Sequence, residues 1–166
     1  AGIRRKKNVT DDVEYYSVVR ALDAVRRADV CLLVVDSGEG LTEQDVKIIG
    51  YVHEQGKPSV IVMNKWDLIE KDTRTVLRFE EKLKEDLKFM DYYKSVYVSA
   101  KTGQRTEKLL RLAREVYAHA NFRVTTGTLN DLILDAVRAN EPASYNGRRL
   151  KVYFATQPSV CPPTFV

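Results

Sequence analysis

Three short apolar runs without polar alternation constrain the fold of this 166-residue chain more than any other feature. They cover residues 30–35, 60–63 and 96–98, and turn-forming residues bound each of them. A strand with one wet face alternates apolar and polar residues, whereas a strand covered on both faces does not. The runs therefore predict three buried strands of a parallel sheet.

Segments with the period of a helix precede, separate and follow the three runs. Thr42, with Asp45 three residues later, is predicted to cap one of these helices. Strands that alternate with helices through right-handed crossovers form an open parallel sheet with helices on both faces. The apolar positions that define the helices are Tyr16, Val19, Ala24 and Ala28; Val46, Ile49 and His53; Val76, Phe79, Leu83 and Leu87; and Leu109, Ala113, Val116 and Ala120.

The pattern changes near residue 121. An apolar stripe over residues 129–137 predicts a further helix, for which Thr128 and Asp131 resemble a capping box. Residues 148–157 alternate, with Leu150, Val152 and Phe154 on one side, which predicts a strand with one exposed face. The final letters TFV predict the opening of another strand. We expect an α/β domain over residues 1–121 and a truncated α+β unit over residues 122–166.

Composition excludes several classes of protein. The net charge of +4 is too mild to indicate nucleic-acid binding by itself. Cys31 and Cys161 form no disulfide framework, which favours a reducing cytosol. His53 and His119 have no companions at ligand spacing, so no metal site is predicted. No apolar run approaches the roughly 18 residues of a membrane span, and the N-terminus lacks the layout of a signal peptide.

Polar clusters follow the second and third runs, where parallel sheets bind ligands. Asn64, Lys65 and Asp67 follow the second run. The Asp67 carboxylate can accept hydrogen bonds from the ring N1–H and the 2-amino group of guanine, and adenine offers neither donor. The Lys65 stem can lie over the purine, and the Asn64 amide can hold the base or the neighbouring loop. Asp36, after the first run, is expected to end its strand or support a turn.

Ser99, Ala100 and Lys101 follow the third run. The Ala100 N–H can donate to the 6-oxo group of guanine, Ser99 can orient Asp67, and Lys101 can cover the other side of the ring. A wrong base would leave buried polar groups unpaired, which gives strong discrimination. Because loops are generally polar, ordinary wet loops are the alternative interpretation of both clusters.

The two clusters resemble the fourth and fifth guanine-nucleotide motifs of the Ras-like GTPases. Residues 1–36 resemble the second GTPase domain of the EngA (Der) family, bacterial GTPases with two such domains in tandem. Residues 126–137 and 147–166 resemble the KH-like domain of that family. The resemblance implies a three-layer parallel sheet of the P-loop NTPase type without its N-terminal third, then a truncated KH-like unit. No G-x-x-x-x-G-K-[ST] motif occurs in the chain.

The resemblance also implies roles at the start of the chain. Gly2 would be the glycine of the third motif, and Ile3 would replace the glutamine that positions water in Ras. Residues 4–12 would be the second switch. GTP or GDP would be bound with Mg²⁺ and, where an apolar residue replaces the glutamine, often with K⁺. The ligands of both ions are expected outside this segment, which alone would not hydrolyse GTP efficiently.

The function implied by the resemblance is that of a GTPase in assembly of the large (50S) ribosomal subunit. Expected partners are ribosomal RNA and, within the longer protein, a first GTPase domain, with a cytoplasmic, ribosome-associated location. The KH-like unit lacks the Gly-x-x-Gly loop that grips single-stranded RNA. Two alternatives stay open: a guanine-nucleotide-binding regulatory module with negligible turnover, and an RNA-binding, ribosome-associated protein with a vestigial nucleotide site.

Overall fold

The computed structural model of the protein describes residues 11–144, 147 and 151–166, with side chains from residue 19 onward. The elements follow one another as helix, then three strand–helix pairs, then a last helix. In chain order they are α1 (Asp11–Arg27), β1 (Cys31–Asp36), α2 (Glu43–Glu54), β2 (Ser59–Asn64), a 3₁₀ helix (Trp66–Leu68), α3 (Thr75–Asp86), β3 (Lys94–Tyr97), α4 (Thr106–Ala120) and α5 (Thr126–Ala139).

The three strands form one parallel sheet in the order β1-β2-β3. Because all three run in the same direction, their carboxyl ends meet at one edge, with Asp36 beside Asn64 in the register. The predicted sheet is confirmed. β3 covers Lys94–Tyr97, whereas the apolar run that predicted it covers residues 96–98. Val98 nevertheless continues the pairing, since its N–H donates to the Met63 carbonyl over 2.9 Å.

Two apolar clusters cover opposite faces of the sheet. One is formed by side chains of α2 and α3 with alternate residues of the strands, and it contains Ile49, Leu83 and Trp66. The other lies beneath α4, where Val116 packs with Val60, Val62, Val96 and Val98. β2 lies between the two clusters, and Val60–Met63 is buried throughout. This central strand therefore matches the prediction of a strand covered on both faces.

β1 does not match that prediction on one of its faces. Leu32 is 41% exposed and Val34 is 61% exposed, whereas their register partners Val60 and Val62 are buried. α4 packs over β2 and β3, and no described element covers the same face of β1. The sequence predicted that both faces of β1 would be buried. Among residues 11–144, 147 and 151–166, nothing buries the face that carries Leu32 and Val34.

The helices follow the predicted periods with local differences. Thr42 caps α2 in a full capping box with Asp45, as predicted. In α3, Phe79, Leu83 and Leu87 face the core, but Val76 is 44% exposed and the preceding Thr75 is buried. Thr75 is buried because its hydroxyl exchanges hydrogen bonds with Asp72 at the start of the helix. In α1, Val19 is partly exposed rather than buried.

The chain divides into two compact units between Tyr117 and Ala118. The predicted domain boundary at residues 121 and 122 stays a prediction. In the second unit, α5 is capped by Thr125, whose hydroxyl accepts from the Thr128 N–H over 3.3 Å. Thr128 therefore lies inside the first turn, and the predicted capping box with Asp131 is wrong.

The predicted strand after α5 is also different in the structure. Residues 151–157 form no strand ladder, and residues 151–154 are all exposed while Ala155 and Gln157 are buried. Neither predicted face is therefore buried over residues 151–154, and Leu150 lies outside the described residues. The final residues do not form the predicted strand. Val166 nevertheless exchanges two backbone hydrogen bonds with Thr156.

Side-chain amides bind the backbone where burial begins. Asn130 of α5 donates to the Ala155 carbonyl over 2.9 Å and accepts from the Ala155 N–H over 2.8 Å. Gln157 accepts from the Val124 N–H and donates to the Phe122 carbonyl. These amides satisfy backbone groups that a neighbouring strand would otherwise pair with.

The structure describes the state of the two cysteines and the character of the helices. Cys31 is buried and Cys161 exposed, and both are free thiols, as predicted. Burial raises the pKa of the Cys31 thiol, although Lys57 partly opposes this effect. No helix among the described residues has the length and apolarity required to cross a membrane.

Candidate functional site

The structure brings the two polar clusters together at the carboxyl edge of the sheet. Asn64 is the last residue of β2, and Ser99 follows β3 by two residues. The Ala100 N–H donates to Asn64 Oδ1 over 3.0 Å. Of the two roles predicted for the Asn64 amide, this contact corresponds to holding the neighbouring loop. The same contact occupies the backbone donor that was predicted for the 6-oxo group of guanine.

The turn that follows β2 is tightly constrained. Lys65 has φ of 61°, a left-handed conformation that is uncommon for residues other than glycine. The next residue begins a single turn of 3₁₀ helix, and its N–H donates to the Val98 carbonyl over 3.0 Å. Trp66 is only 1% exposed, so this residue anchors the turn in the core. The backbone strain at Lys65 persists because the surrounding contacts fix the conformation.

Asp67 is partly exposed and its carboxylate meets the Ser99 hydroxyl. A hydrogen bond from Ser99 lowers the pKa of Asp67 below its ordinary value, and the charges of Lys101 and Lys71 add to the effect. Ser99 itself is fully buried, and its Oγ accepts from the Thr102 N–H over 3.2 Å. One hydroxyl therefore links Asp67 to the loop after β3. The role of Ser99 in orienting Asp67 toward a base stays a prediction.

Lys65 and Lys101 are both exposed at this edge. Lys65 Nζ forms an ion pair with Asp36 of β1, whose carboxylate is largely buried. The other Asp36 oxygen accepts from the Gly38 N–H over 2.9 Å. Asp36 thus supports the turn after β1, as expected, and also positions Lys65, which the sequence did not predict. The predicted position of the lysine stem over a purine stays a prediction.

An aromatic cluster supports the turn from inside the core. The Trp66 ring lies 4.5 Å from that of Tyr97 and 5.1 Å from that of Phe79, centroid to centroid. Sequence reasoning assigned no role to Trp66, which lies between two charged residues of the polar cluster after the second run. An isolated large aromatic residue inside a polar stretch was the signal that could have identified a buried anchor.

A cavity of about 250 Å³ lies next to this edge, between the loop after β1 and α3. It contains neither Asp67 nor Ser99, so it is separate from the two polar clusters. Ser37 lines it and is buried, and within the described residues its hydroxyl has no hydrogen-bond partner. Its lining contains two basic side chains, Arg78 and Lys82, and two acidic ones, Glu39 and Asp86.

Two predicted residues cannot be placed. Gly2 and Ile3 lie outside the described residues, as does most of the predicted second switch. Within residues 11–144, 147 and 151–166, no three His, Cys, Asp or Glu side chains gather where they could hold a metal ion.

Comparison with known proteins identifies the family. The profile of the elongation factor Tu GTP binding domain matches residues 14–119. The profile of the KH-domain-like region of EngA bacterial GTPase enzymes, C-terminal, matches residues 123–166. The chain belongs to the EngA (Der) family of GTPases. The fold predicted from the sequence, a parallel sheet of the GTPase type followed by a KH-like unit, agrees with both matches.

Individual relatives support the same assignment. GTPase Der of Clostridium botulinum strain Hall is 49% identical over all 166 residues, and GTPase Der of Alkaliphilus oremlandii is 51% identical over the same length. The chain spans 38% of the length of each of these relatives. Among solved structures, Era in complex with MgGDPNP and nucleotides 1506–1542 of 16S ribosomal RNA has a TM-score of 0.54. It is 26% identical, and the match covers 64% of this chain and 35% of Era.

Proposed function

We propose that the carboxyl edge of the sheet binds the base of GTP and GDP, and that the whole protein hydrolyses GTP. The observation that carries this proposal is the Asp67 carboxylate, which is partly exposed at the carboxyl edge of the sheet and whose pKa is lowered by a hydrogen bond from the buried Ser99 hydroxyl and by the charges of Lys101 and Lys71. A carboxylate in that setting accepts from two donors on one edge of guanine. The membership of the chain in the EngA (Der) family supports it.

The neighbouring residues are assigned complementary roles. Lys65, held by Asp36, covers one face of the purine, and Lys101 covers the other. Asn64 fixes the loop that carries Ala100. The Ala100 N–H can approach the 6-oxo group only by sharing its hydrogen with Asn64, a three-centre geometry that proteins commonly use. Nucleotide binding is therefore expected to lengthen the contact between Asn64 and Ala100.

Mg²⁺ and K⁺ would accompany the phosphates of the nucleotide. The described residues offer no cluster that fits either ion, so the argument for base recognition includes no step through a metal. Following the family resemblance, we further propose that the protein acts in the cytoplasm in assembly of the large ribosomal subunit. It would contact ribosomal RNA and pack against a first GTPase domain of the longer protein.

A substitution at Asp67 tests the proposal. Xanthine has an acceptor oxygen where guanine has its 2-amino group, so Asp67→Asn should weaken GDP binding about 10- to 100-fold and create a site for xanthosine diphosphate. Equilibrium dialysis of the full-length variant should find one new xanthine site per chain. Asp72→Asn, the same change in an aspartate at the start of α3, should create none. Failure of Asp67→Asn to gain a xanthine site would refute the assignment.

RNA binding is a second candidate function that one observation favours. The KH-like segment exposes Tyr153 (87%) and Phe154 (65%) side by side, next to Lys151. Exposed aromatic rings with adjacent positive charge can stack on unpaired bases. Salt-dependent binding of ribosomal RNA without nucleotide would support this candidate.

A regulatory module, the other alternative, would bind GTP without turnover, whether or not K⁺ is supplied.

A further inference from the structure

The base-recognition turn depends on one buried side chain, Trp66. Its neighbours in sequence, Lys65 and Asp67, extend toward solvent, while the indole is 1% exposed. The turn has few hydrogen bonds of its own. Its 3₁₀ helix has a single turn and no side-chain cap, and the Leu68 N–H donates to the Lys65 carbonyl over 3.0 Å. The orientation of Asp67 therefore depends on how firmly the indole is held.

Two aromatic rings hold that indole. Tyr97, at the end of β3, inclines at 51° to the indole, and Phe79 of α3 meets it edge-on at 79°. The rings of Phe79 and Tyr97 also contact each other edge-on, with centroids 6.1 Å apart. Edge-to-face and tilted contacts of this kind define the ring orientations, because the positive edge of one ring meets the negative face of another. The position of Tyr97 thus sets one wall of the Trp66 site.

Tyr97 is in turn fixed by Glu80 of α3. The Tyr97 hydroxyl donates to Glu80 Oε1 over 2.7 Å, and the Ser95 hydroxyl donates to the same oxygen. The Tyr93 hydroxyl lies 3.4 Å from both Glu80 Oε2 and the Glu80 carbonyl oxygen. A partly buried carboxylate on α3 therefore gathers three hydroxyl groups from β3 and the segment before it.

The protonation state of Tyr97 suits this role. Burial raises its pKa far above the ordinary value, and the hydrogen bond and the charge of Glu80 raise it further. The phenol therefore remains a neutral donor at neutral pH. Hydrogen bonds to a charged acceptor are stronger and better defined than neutral ones. The ring of Tyr97 is consequently held at both its face and its hydroxyl.

We propose that Glu80 and Tyr97 are positioning residues for guanine recognition, which act through Trp66 to hold Asp67 in the orientation that accepts from the base. This inference rests on the proposed function of the site. Neither residue touches the nucleotide. Their contribution is to selectivity at the 2-amino group, since that group is read by Asp67. Loss of the Tyr97 hydroxyl should therefore affect discrimination more than overall affinity.

The test uses the full-length protein labelled with 5-fluorotryptophan. This chain has one tryptophan, and the variant Trp66→Phe assigns its fluorine resonance by removing it. Titration of that resonance with GDP and with inosine diphosphate, which lacks the 2-amino group, gives the affinity of this site for each nucleotide. The ratio of the two affinities measures recognition by Asp67.

Tyr97→Phe keeps the ring and removes the hydroxyl. We expect it to shift the Trp66 resonance and to lower the ratio about three- to ten-fold. Glu80→Ala should have a similar effect, whereas Glu80→Gln should restore most of the ratio because its amide oxygen still accepts. Tyr51→Phe is the matched control. Its hydroxyl accepts from Arg26 Nε over 2.9 Å on the outside of α2, so both readouts should stay at wild-type values.

Three outcomes bear on the inference. A lower ratio in Tyr97→Phe and Glu80→Ala, rescued in Glu80→Gln, supports it. An unchanged ratio and an unchanged Trp66 resonance, even with a lower melting temperature, overturns it, because the residues would then only stabilise the fold. Asp67→Asn separates this from failure of the proposed function. If that variant loses guanine preference while Tyr97→Phe keeps it, only the positioning role is wrong.

Discussion

At the scale of single residues, the candidate site depends on a short series of hydrogen bonds between the ends of β2 and β3. Asn64 holds the Ala100 N–H, and Ser99 holds both Asp67 and the Thr102 N–H. Each of these groups is satisfied inside the protein before any ligand arrives. Because the donors and acceptors are already ordered, nucleotide binding requires little further loss of conformational freedom.

The lowered pKa of Asp67 leads to a prediction about pH. A carboxylate whose pKa is depressed in the folded protein stays charged until the pH falls through that depressed value. Guanine binding needs the charged form, so wild-type affinity for GDP should persist well into the acidic range. In Ser99→Ala the pKa of Asp67 should rise toward its ordinary value, and affinity should be lost at a higher pH. Titrations of GDP affinity from pH 6 down to pH 2.5 would show this, because the ordinary pKa of an aspartate is about 3.9.

A matched control for that titration is Ser59→Ala. Ser59 is also buried, but it lies at the start of β2, at the opposite edge of the sheet. Its removal should leave the pH at which affinity is lost unchanged. If Ser99→Ala and the wild type lose affinity at the same pH, the Ser99 hydroxyl does not set the charge of Asp67.

The sequence allowed prediction of the residues that gather at the edge but not of those that support them. Asn64, Asp67 and Ser99 follow directly from strand ends, which are local features. The pairs Lys65–Asp36 and Tyr97–Glu80 join residues that are distant in sequence, and nothing in the spacing of the chain indicates them. Their detection requires the register of the sheet and the packing of α3.

At the scale of elements, prediction succeeded where an apolar period alone determines the structure. The three strands and the helices between them follow from such periods. In the second unit the period of residues 148–157 predicted one buried face, but residues 151–154 are all exposed. Burial begins at Ala155, where Asn130 and Gln157 bind the backbone through their amides. Polar side chains that replace a strand partner leave no signal in a hydrophobic pattern.

The start of α5 gives a prediction at this scale. Thr125 is the N-cap, so Thr125→Ala should destabilise the first turn by about 1 kcal/mol, since the Thr128 N–H loses its acceptor. Thr128→Ala leaves that N–H bonded to Thr125 and should cost less. Amide hydrogen exchange at residue 128 and in the first turn would measure both effects. Equal acceleration by the two variants would contradict the assignment of Thr125 as the cap.

At the scale of the whole molecule, the sheet is covered unequally. α4 buries one face of β2 and β3, while Leu32 and Val34 on β1 remain exposed on the same side. Apolar side chains that lie together at a surface mark places where other protein surfaces bind. The uncovered part of β1 is therefore the region of the first unit that is best suited to further packing.

The difference in burial between the two strands can be tested at one pair of register partners. Val34 and Val62 lie side by side on neighbouring strands, yet Val34 is 61% exposed and Val62 only 2%. Valine to threonine replaces a methyl group by a hydroxyl of similar size. At position 62 it buries an unpaired polar group, so the free energy of unfolding of the 166-residue chain should fall by about 1–3 kcal/mol. At position 34 the change should stay within about 0.5 kcal/mol. Urea unfolding followed by circular dichroism would give both values.

A large cost at position 34 in a longer form of the protein, but not in this chain, would identify the β1 face as a packing surface. A large cost in this chain would show that the face is already covered.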